Sequence, residues 1–384
     1  MQQFPSSLQK KLNDRRKENA LRTLHVSNST EVDFYSNDYL GFAKSLDIAK
    51  MTDEILKENG IQNGSTGSRL ISGTHHLHLW VEKELAMYHR AESGLLYNSG
   101  YDANVGLFSA ILQKNDVLLF DELIHASVRD GIRLSTANNY KFKHNNLSDL
   151  EAKMIRFKET SSNVYVAVET VYSMDGDIAP LQELVILCEK HKAYLIIDEA
   201  HSGGVFGEKG RGLACELGLE SKIFARVHTF GKALGCHGAI VLGGQDLRNY
   251  LINFSRAFIY TTAIPLHAVA TIKAAFAEIS QGNAMDLLKD NIDYFKNQLS
   301  VYQLKDYFIE SISAIQCCLI SGNNQVKKVA LEIQEQGFLV KPIMSPTVPK
   351  GQERLRICLH AHNTKEEINN LLLLLSSLIK IEEI

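Results

Sequence analysis

The sequence contains little proline, few cysteines and no long apolar run. Only six of its 384 residues are proline, so no proline-rich linker divides the chain. Its six cysteines include no C-x-x-C pair and indicate free thiols of a reducing compartment rather than a disulfide framework. No stretch approaches the roughly 18 apolar residues of a membrane span, and the polar N-terminus lacks a signal segment. We therefore expect a cytoplasmic protein with no membrane span.

Charge is nearly balanced, with 41 basic and 44 acidic residues and a formal net charge of -3. Such a balance carries no electrostatic footprint for nucleic acid. The chain is 45% hydrophobic and 22% charged, which is the composition of an ordinary globular protein. Its length suffices for one large α/β domain and a smaller one.

Short apolar runs alternate with helical stretches from about residue 90 onward. The strand candidates are 93–99, 116–121, 163–170, 193–200, 225–230 and 238–244. The helical windows between them are 101–113, 147–157 and 181–191. Strands that are apolar on both faces and separated by helices predict a mainly parallel sheet with helices on both faces.

The pattern changes near both ends of the chain. Residues 6–24 are predicted to form an exposed amphipathic helix rich in Lys and Arg. After about residue 275 the pattern becomes a helix, a few short strands and a long terminal helix. We expect an N-terminal segment (1–44), a large α/β domain (45–275) and a smaller α+β domain (276–384).

Polar residues collect just beyond the strand ends, where parallel sheets bind ligands. Asp198 ends one strand, and Lys232 follows Gly231 after the next. A single acid after a strand is unspecific, and a lone lysine is nearly always a solvated surface group. The combination points to pyridoxal phosphate, which needs a lysine amine for a Schiff base and an acid beside its pyridine nitrogen. We expect Gly231 to let the backbone turn sharply before the lysine.

The cofactor also needs a cradle for its phosphate and a flat partner for its ring. Residues 98–101 follow a strand and open a helix, whose N-terminus offers unpaired N–H groups. Gly100 allows close approach there, and Thr229 adds a hydroxyl from the strand that leads to the lysine. His125 lies just past a strand end, where it can stack on the ring; a structural core histidine is the alternative.

The chain resembles the α-oxoamine synthases, which are fold-type-I pyridoxal-phosphate acyltransferases. Ordered blocks at compatible spacing carry the resemblance across essentially the whole chain. They are SNDYLG (36–41), GSTGSRLISGTHHLHLWVEKELA (64–86), NSGYDAN (98–104), FDELIHAS (120–127), ETVYSMDGDIAPL (169–181), IIDEAHSGGVFGEKGRG (196–212), TFGKALG (229–235) and SPTVPKGQERLRICLHAHNT (345–364). The resemblance implies a mainly parallel seven-stranded sheet with helices on both faces, plus a smaller α+β C-terminal domain.

The resemblance implies a role for each matching cofactor residue. Lys232 would form the Schiff base and serve as acid and base, and Asp198 would pair with the pyridine nitrogen. Ser173 and His201 would hydrogen-bond the phenolic oxygen of the cofactor. His125 would stack on the ring and face the substrate. The backbone at Gly100 and Tyr101, together with Thr229, would hold the phosphate.

The resemblance also implies substrate-binding residues. Arg356 would clamp the amino-acid carboxylate, for which a guanidinium fork is the natural partner. Arg22 and Thr347 correspond to positions that touch the acyl substrate. Asn37 and Glu169 would line the same pocket.

The implied reaction is a decarboxylating condensation of L-alanine with a pimeloyl thioester, carried by coenzyme A or an acyl carrier protein. Thr347 favours this branch over those that join glycine to an acetyl group or serine to a palmitoyl group. The family forms homodimers with active sites at the subunit interface. Our candidate for the contribution across it is Tyr260-Thr261-Thr262, in which Thr262 would bind the cofactor. Ser202 and the pair Cys236-His237 depart from the family pattern and bear on the shape of the substrate pocket. The intact cofactor set argues against a non-catalytic member of the family.

Three other patterns have simpler explanations. His75, His76 and His78 lack a cysteine or carboxylate at zinc-ligand spacing, so we expect no metal. His78 is instead expected to begin a helix. The apolar residues that this helix would bury are Leu77, Val81 and Leu85. The run GSTGS (64–68) lacks the lysine of a nucleotide P-loop, and the alternation at 360–362 predicts a strand.

Overall fold

The computed structural model describes residues 4–24, 26 and 30–381, which divide into two units. The larger unit comprises residues 37–173 and 178–286. The smaller contains the described residues up to 36, residues 174–177, and the chain from 287 onward. The domain limits expected after residues 44 and 275 stay predictions.

Strands and helices are numbered along the whole chain. The strands are β1 (Val32–Asp33), β2 (Ser93–Tyr97), β3 (Val117–Asp121), β4 (Asn138–Phe142), β5 (Val164–Glu169), β6 (Tyr194–Asp198), β7 (Ala225–Thr229), β8 (Ala239–Gly243), β9 (Ile315–Leu319), β10 (Phe338–Leu339), β11 (Lys341–Ile343) and β12 (Arg354–Cys358). The helices are α1 (Ser6–Lys17), α2 (Leu46–Asn59), α3 (His76–Tyr88), α4 (Gly100–Ile111), α5 (Ala126–Leu134), α6 (Leu147–Phe157), α7 (Leu181–His191), α8 (Leu213–Glu216), α9 (Gln245–Phe254), α10 (Arg256–Ile259), α11 (Leu266–Gln281), α12 (Ala284–Val301), α13 (Asn323–Glu335) and α14 (Lys365–Ile381).

A seven-stranded sheet forms the centre of the larger unit, in the order β2-β8-β7-β6-β5-β3-β4. Only β8 runs antiparallel to its neighbours β2 and β7, and the other pairs are parallel. The predicted mainly parallel seven-stranded sheet is therefore confirmed. Because β5, β6 and β7 are adjacent and parallel, their carboxyl ends meet at one edge of the sheet.

Helices cover both faces of this sheet, because successive strand residues point to opposite sides. Leu118 packs into one core with residues of α4 and α5, whereas Leu119 packs into the other with residues of α6 and α7. Both leucines are fully buried, and each such burial stabilises the fold by about 2 kcal/mol. None of the helices in the described part of the chain is long and apolar enough to cross a membrane.

The strand missing from the sequence prediction is β4. Its sequence, NNYKF, is polar, and four of its five residues are exposed. It lies at the edge of the sheet and pairs only with β3, so it does not need two apolar faces. The six predicted strands are all present, and the helical windows at 147–157 and 181–191 match α6 and α7 residue for residue.

The helix predicted to begin at His78 is present, but it begins two residues earlier, at His76. In α3 the three expected residues Leu77, Val81 and Leu85 are buried. The helix begins one residue after His75, whose ring accepts a hydrogen bond from the backbone N–H of Leu77 at 3.2 Å. The histidine run therefore caps this helix.

The smaller unit contains a three-stranded antiparallel sheet in the order β11-β12-β9. A separate parallel pair joins β1, near the N-terminus, to β10. Buried apolar residues of α13 and α14, such as Val329 and Leu371, belong to this unit. The predicted smaller α+β unit is thus present, and the segment that contains β1 is part of it.

Two local predictions for this unit were wrong. The N-terminal helix ends at Lys17 instead of residue 24, because Asn19 takes a left-handed conformation with φ of 51°. The backbone N–H groups of Asn19 and Ala20 then bond back to the carbonyls of Arg16 and Arg15, which closes the helix. Residues 360–362 lie in a turn beyond β12, not in a strand.

Candidate active site

The carboxyl ends of β5, β6 and β7 bring the predicted cofactor residues together. Glu169 ends β5 and is paired in register with Asp198, which ends β6. Thr229 ends β7, and Lys232 follows in the next loop. Three consecutive parallel strands therefore place a lysine and two carboxyl groups at one edge of the sheet.

The loop that carries Lys232 is closed by a glycine that the sequence argument did not choose. Gly235 has φ of 60°, and its N–H donates to the Lys232 carbonyl at 2.8 Å. A Cβ on Gly235 would lie 2.1 Å from the backbone nitrogen of Ala43. Gly231, the expected turn residue, has no such constraint, since its Cβ would meet only the Cys236 carbonyl at 3.6 Å. The backbone does bend at Gly231, but it is Gly235 whose positive φ and close backbone contact require glycine.

The amine of Lys232 is held beside a buried imidazole. Its Nζ lies 2.8 Å from Nε2 of His201. The other ring nitrogen of His201, Nδ1, lies 2.7 Å from the hydroxyl of Tyr39. The Tyr39 hydroxyl in turn donates to Oδ1 of Asn37 at 3.1 Å. Sequence reasoning selected Lys232, His201 and Asn37 but missed Tyr39, which lies in the same block as Asn37.

Asp198 is buried, and both its carboxylate oxygens accept hydrogen bonds. Oδ1 accepts from the backbone N–H of Ala200 at 2.9 Å, and Oδ2 accepts from Nδ2 of Asn104 at 2.7 Å. The same amide nitrogen of Asn104 donates to the Ser127 hydroxyl at 3.0 Å. These contacts fix the orientation of the carboxylate. Asn104 and Ser127 were missed as site residues, although both lie inside the blocks quoted above.

His125 joins this network at the N-terminus of α5. Its Nδ1 accepts from the backbone N–H of Ser127 at 3.2 Å and lies 2.7 Å from the Ser127 hydroxyl. Because Nδ1 accepts from the backbone, the proton of the neutral ring is on Nε2. The side chain remains exposed to solvent, yet partial desolvation by the surrounding protein lowers its pKa, and the positive charge of Lys232 lowers it further against the opposing effect of Asp198.

Glu169 is buried next to these groups. Its Oε2 accepts from the backbone N–H of Ser173 at 3.3 Å, which places Ser173 at the same edge. Burial, together with the negative charge of Asp198, raises the pKa of Glu169 to about 8. Its Oε1 is buried and has no hydrogen-bond partner among the described residues. Glu169 is therefore mostly a neutral acid at pH 7.

The predicted phosphate cradle lies at the start of α4. Ser99 caps the helix by accepting from the backbone N–H of Asp102 at 3.1 Å, so the helix begins at Gly100. A Cβ on Gly100 would come within 3.2 Å of the Thr229 side chain, so the glycine keeps the space between helix and strand open. Tyr101 is exposed and donates from its hydroxyl to Asp130 at 2.7 Å.

The remaining predicted residues fall into two groups. Thr262 lies in the larger unit, is exposed, and accepts at its carbonyl from Nδ2 of Asn98 at 2.9 Å. The other three belong to the smaller unit: Arg22 and Thr347 are exposed, and Arg356 is buried in β12. One guanidinium nitrogen of Arg356 lies 2.9 Å from Sγ of Cys358. The roles assigned to these residues stay predictions.

Ser202 and Cys236, which depart from the family pattern, form hydrogen bonds with neighbouring residues. The Ser202 hydroxyl is buried and accepts from the Thr170 hydroxyl at 2.9 Å. The Cys236 thiol donates to the Leu234 carbonyl at 3.0 Å, and burial raises the pKa of this thiol to about 12. Beside these departures, Lys232 keeps its contact with His201, and Asp198 keeps its hydrogen bonds from Asn104 and Ala200.

The residues present fit pyridoxal phosphate. Lys232 offers an amine, Asp198 an oriented carboxylate, and the start of α4 a set of backbone N–H groups. Two buried polar atoms near them, Oε1 of Glu169 and Oδ1 of Asn104, lack partners among the described residues. Buried polar atoms without partners are costly, and a bound polar ligand would relieve that cost.

Comparisons with known proteins agree with this fit. The family model described as aminotransferase class I and II matches residues 29–374. The 8-amino-7-oxononanoate synthase of Emericella nidulans is 43% identical over 381 residues, covering 93% of this chain and 92% of that protein. No metal-holding group of three His, Cys, Asp or Glu side chains occurs in the part of the chain that the structure describes.

Solved structures show the same relationship. A serine palmitoyltransferase from S. paucimobilis with a bound PLP–myriocin aldimine has a TM-score of 0.87 and 28% identity, covering 98% of this chain and 97% of that one. The 8-amino-7-oxononanoate synthase of Francisella tularensis has a TM-score of 0.78 and 27% identity, covering 93% and 100%. The cofactor is pyridoxal 5'-phosphate, and the chain belongs to the aminotransferase class I and II family and, within it, to the α-oxoamine synthases.

Proposed function

We propose that this protein catalyses the decarboxylating condensation of L-alanine with a pimeloyl thioester. The products are 8-amino-7-oxononanoate, CO₂ and the free thiol carrier, so the reaction is a step of biotin biosynthesis. The observation that carries the chemistry is the Lys232 amine, held 2.8 Å from His201 at the sheet edge where Asp198 ends β6. The choice of substrates is supported by the 43% identity to the Emericella enzyme.

Lys232 is the residue that moves protons on the substrate carbon. When bound, pyridoxal phosphate supplies an electron sink that stabilises the electron pair left at the α-carbon of the amino acid. Lys232 Nζ would anchor the cofactor at rest, remove the α-proton of alanine once displaced, and return a proton after CO₂ has left. One amine can serve in both directions because it is positioned by the Gly235 turn and lies beside an imidazole.

Asp198 would hold a proton on the pyridine nitrogen. A carboxylate acts this way only when it points in a fixed direction, and the hydrogen bonds from Asn104 and Ala200 fix the direction of this one. Glu169, its buried neighbour, carries the raised pKa of the pair. Glu169 is therefore mostly protonated at pH 7.

Binding of the remaining substrate groups is assigned by resemblance. The neutral ring of His125 would cover the cofactor face, and the backbone at Gly100 and Tyr101 with the Thr229 hydroxyl would hold the phosphate. Arg356 would bind the alanine carboxylate, since a planar guanidinium can donate two parallel hydrogen bonds to it. The acyl chain would meet the positions Arg22 and Thr347.

Assembly and the acyl donor belong to the same proposal. We expect a cytoplasmic homodimer with Thr262 contributing across the subunit interface. The donor is a pimeloyl thioester of coenzyme A or of an acyl carrier protein. Helix α1 is basic and has no buried residue, so it is available to an anionic carrier of either kind.

A second candidate is serine palmitoyltransferase activity. The solved serine palmitoyltransferase superposes with a higher TM-score, 0.87, than the Francisella enzyme, at 0.78. The two sequence identities are nearly equal, at 28% and 27%, and so do not separate the two candidates. Fold likeness alone does not select a substrate.

A substrate panel distinguishes the candidates. Glycine, alanine and serine are each paired with acetyl-, pimeloyl- and palmitoyl-CoA, and both thiol release and CO₂ release are measured. We expect alanine with the pimeloyl thioester to exceed every other pair in kcat/KM by about 100-fold, the discrimination that a pocket achieves on small apolar groups. Lys232→Ala is the control for background thiol release. Preference for serine with palmitoyl-CoA, or for glycine with acetyl-CoA, would replace the proposal with the corresponding branch of the family.

A further inference from the structure

A line of three hydrogen bonds runs inward from the catalytic lysine. It passes from Lys232 Nζ to His201 Nε2 at 2.8 Å, from His201 Nδ1 to Tyr39 Oη at 2.7 Å, and from Tyr39 Oη to Asn37 Oδ1 at 3.1 Å. Tyr39 is fully buried and His201 is nearly so. All four residues belong to the larger unit.

The last bond in the line sets the direction of the others. An amide oxygen can only accept, so the single proton of the Tyr39 hydroxyl lies toward Asn37. The Tyr39 oxygen must then act as acceptor toward His201, which places a proton on His201 Nδ1. In a neutral imidazole the opposite nitrogen, Nε2, is therefore bare and presents its lone pair to the lysine amine.

We infer that Tyr39 is a positioning residue that fixes His201 in the Nδ1–H form, so that Nε2 can take a proton from Lys232. The tyrosine acts on the lysine through the histidine, whose ring bonds to both of them. The inference rests on the proposed cofactor roles of Lys232 and His201, and it is independent of which acyl substrate is used.

The inferred step transfers one proton from Lys232 to His201. One proton leaves the ammonium group of Lys232 and binds to Nε2 of His201, over the 2.8 Å between the two nitrogens. The lysine becomes a neutral amine that can attack an aldehyde carbon, and the histidine becomes a cation that can donate from Nε2 to the phenolic oxygen of the cofactor. The line ends at an amide, which does not accept a proton, so the positive charge stays on the His201 ring.

The opposite arrangement is possible only if Asn37 loses its hold on the hydroxyl. If the Tyr39 proton turned toward His201 Nδ1, the ring proton would move to Nε2 and point at the lysine. An ammonium group and an Nε2–H would then face each other as two donors. Asn37 disfavours that arrangement because its oxygen would lose the hydroxyl proton.

The test measures the tautomer directly. The full-length chain is labelled with ¹⁵N-histidine, freed of pyridoxal phosphate, and studied by NMR, with the His201 signals assigned from their loss in His201→Gln. We expect a protonated Nδ1 and an unprotonated Nε2 in the unsubstituted protein. Tyr39→Phe, which keeps the ring but removes the acceptor, should let the Nε2–H form become populated. Finding mainly Nε2–H in the unsubstituted protein would overturn the inference, and so would an unchanged tautomer in Tyr39→Phe.

Asn37 provides a second route if Tyr39→Phe does not fold. Asn37→Leu frees the hydroxyl proton and should shift His201 toward Nε2–H, whereas Asn37→Asp keeps an acceptor and should retain Nδ1–H. The same response in both Asn37 variants would contradict the direction assigned to the line. Tyr97→Phe is the matched control, because Tyr97 is also buried but bonds to the Ser255 hydroxyl instead, and it should leave the His201 signals unchanged.

Cofactor loading gives a readout that does not depend on turnover. The rate at which added pyridoxal phosphate becomes attached to the cofactor-free chain is followed by absorbance. Loss of one buried hydrogen bond in the line should slow loading by about fivefold to tenfold in Tyr39→Phe, with no change in Tyr97→Phe. A loading rate equal to that of the unsubstituted chain would contradict the assigned role. If the tautomer and loading results hold but no acyl substrate is used, only the proposed function fails.

Discussion

Glu169 and Asp198 lie in register at the ends of neighbouring parallel strands, so two buried carboxyl groups share one edge of the sheet. The two carboxyl groups differ in the hydrogen bonds that their oxygens accept. Both oxygens of Asp198 accept hydrogen bonds, whereas Oε1 of Glu169 has no partner among the described residues. Burial and the Asp198 charge raise the pKa of Glu169 to about 8. Glu169 is therefore mainly neutral at pH 7.

The raised pKa of Glu169 predicts a pH-dependent stability. The folded pKa of Glu169 is raised above its ordinary value, so its contribution is fully favourable below about pH 4.5 and is lost as the pH rises through about 8. Urea unfolding of the cofactor-free protein should show stability falling from about pH 5 to about pH 9. Glu169→Gln, which stays neutral, should flatten that slope. The exposed Glu58→Gln is the control, and an equal slope in the Glu169 variant would refute the assignment.

Substitution of Asn104 should lower the affinity of the protein for pyridoxal phosphate. Asn104→Leu has a similar volume but removes the donor to Asp198 Oδ2, leaving a buried anion with one fewer partner. A hydrogen bond to a charged group contributes about 1.5–3 kcal/mol, so the Kd for pyridoxal phosphate should rise roughly tenfold to hundredfold. Equilibrium titration by absorbance measures it. Asn253→Leu, at an exposed helix position, should leave the Kd unchanged; an unaltered Kd in Asn104→Leu would mean that the amide does not position Asp198.

The turn after Lys232 predicts a contrast between two glycines. Gly235→Ala would force a Cβ into the backbone of Ala43 at a positive φ, and we expect a loss of roughly 1–3 kcal/mol or more in the free energy of unfolding. Gly231→Ala, four residues earlier, meets only an ordinary contact and should change that free energy by less than about 0.5 kcal/mol. Denaturant unfolding of the cofactor-free chains compares the two. Equal effects of the two substitutions would contradict this account of the loop.

Substitution of Arg356 should change the KM for the amino acid and leave cofactor binding unchanged. Lysine keeps the positive charge but cannot donate the parallel pair of hydrogen bonds, so Arg356→Lys should raise the KM for alanine at least about tenfold. The Kd for pyridoxal phosphate should stay the same. Arg156→Lys, on the exposed side of α6, serves as the control. If the KM for the thioester rose and that for alanine did not, Arg356 would belong to the acyl site instead.

Much of the fold and the cofactor set could be predicted because the informative residues are local in sequence. Apolar strands that end in polar residues mark the sheet and its carboxyl edge, where Asp198 ends β6 and Lys232 follows the neighbouring strand β7. Strand β4 escaped prediction because an edge strand needs no apolar pattern. The supporting residues Tyr39 and Asn104 escaped because their role depends on contacts over 162 and 94 residues of chain. Spacing does not reveal such partners; only the folded backbone brings them together.

Attachment of the cofactor to Lys232 tests the central claim most directly. The holoprotein is treated with borohydride, which makes the linkage between lysine and cofactor permanent, then digested, and the peptides are analysed by mass spectrometry. The account predicts a pyridoxyl group on the peptide that contains Lys232, and its absence from the same peptide of Lys232→Ala. A pyridoxyl group on a different lysine, or on none, would contradict it.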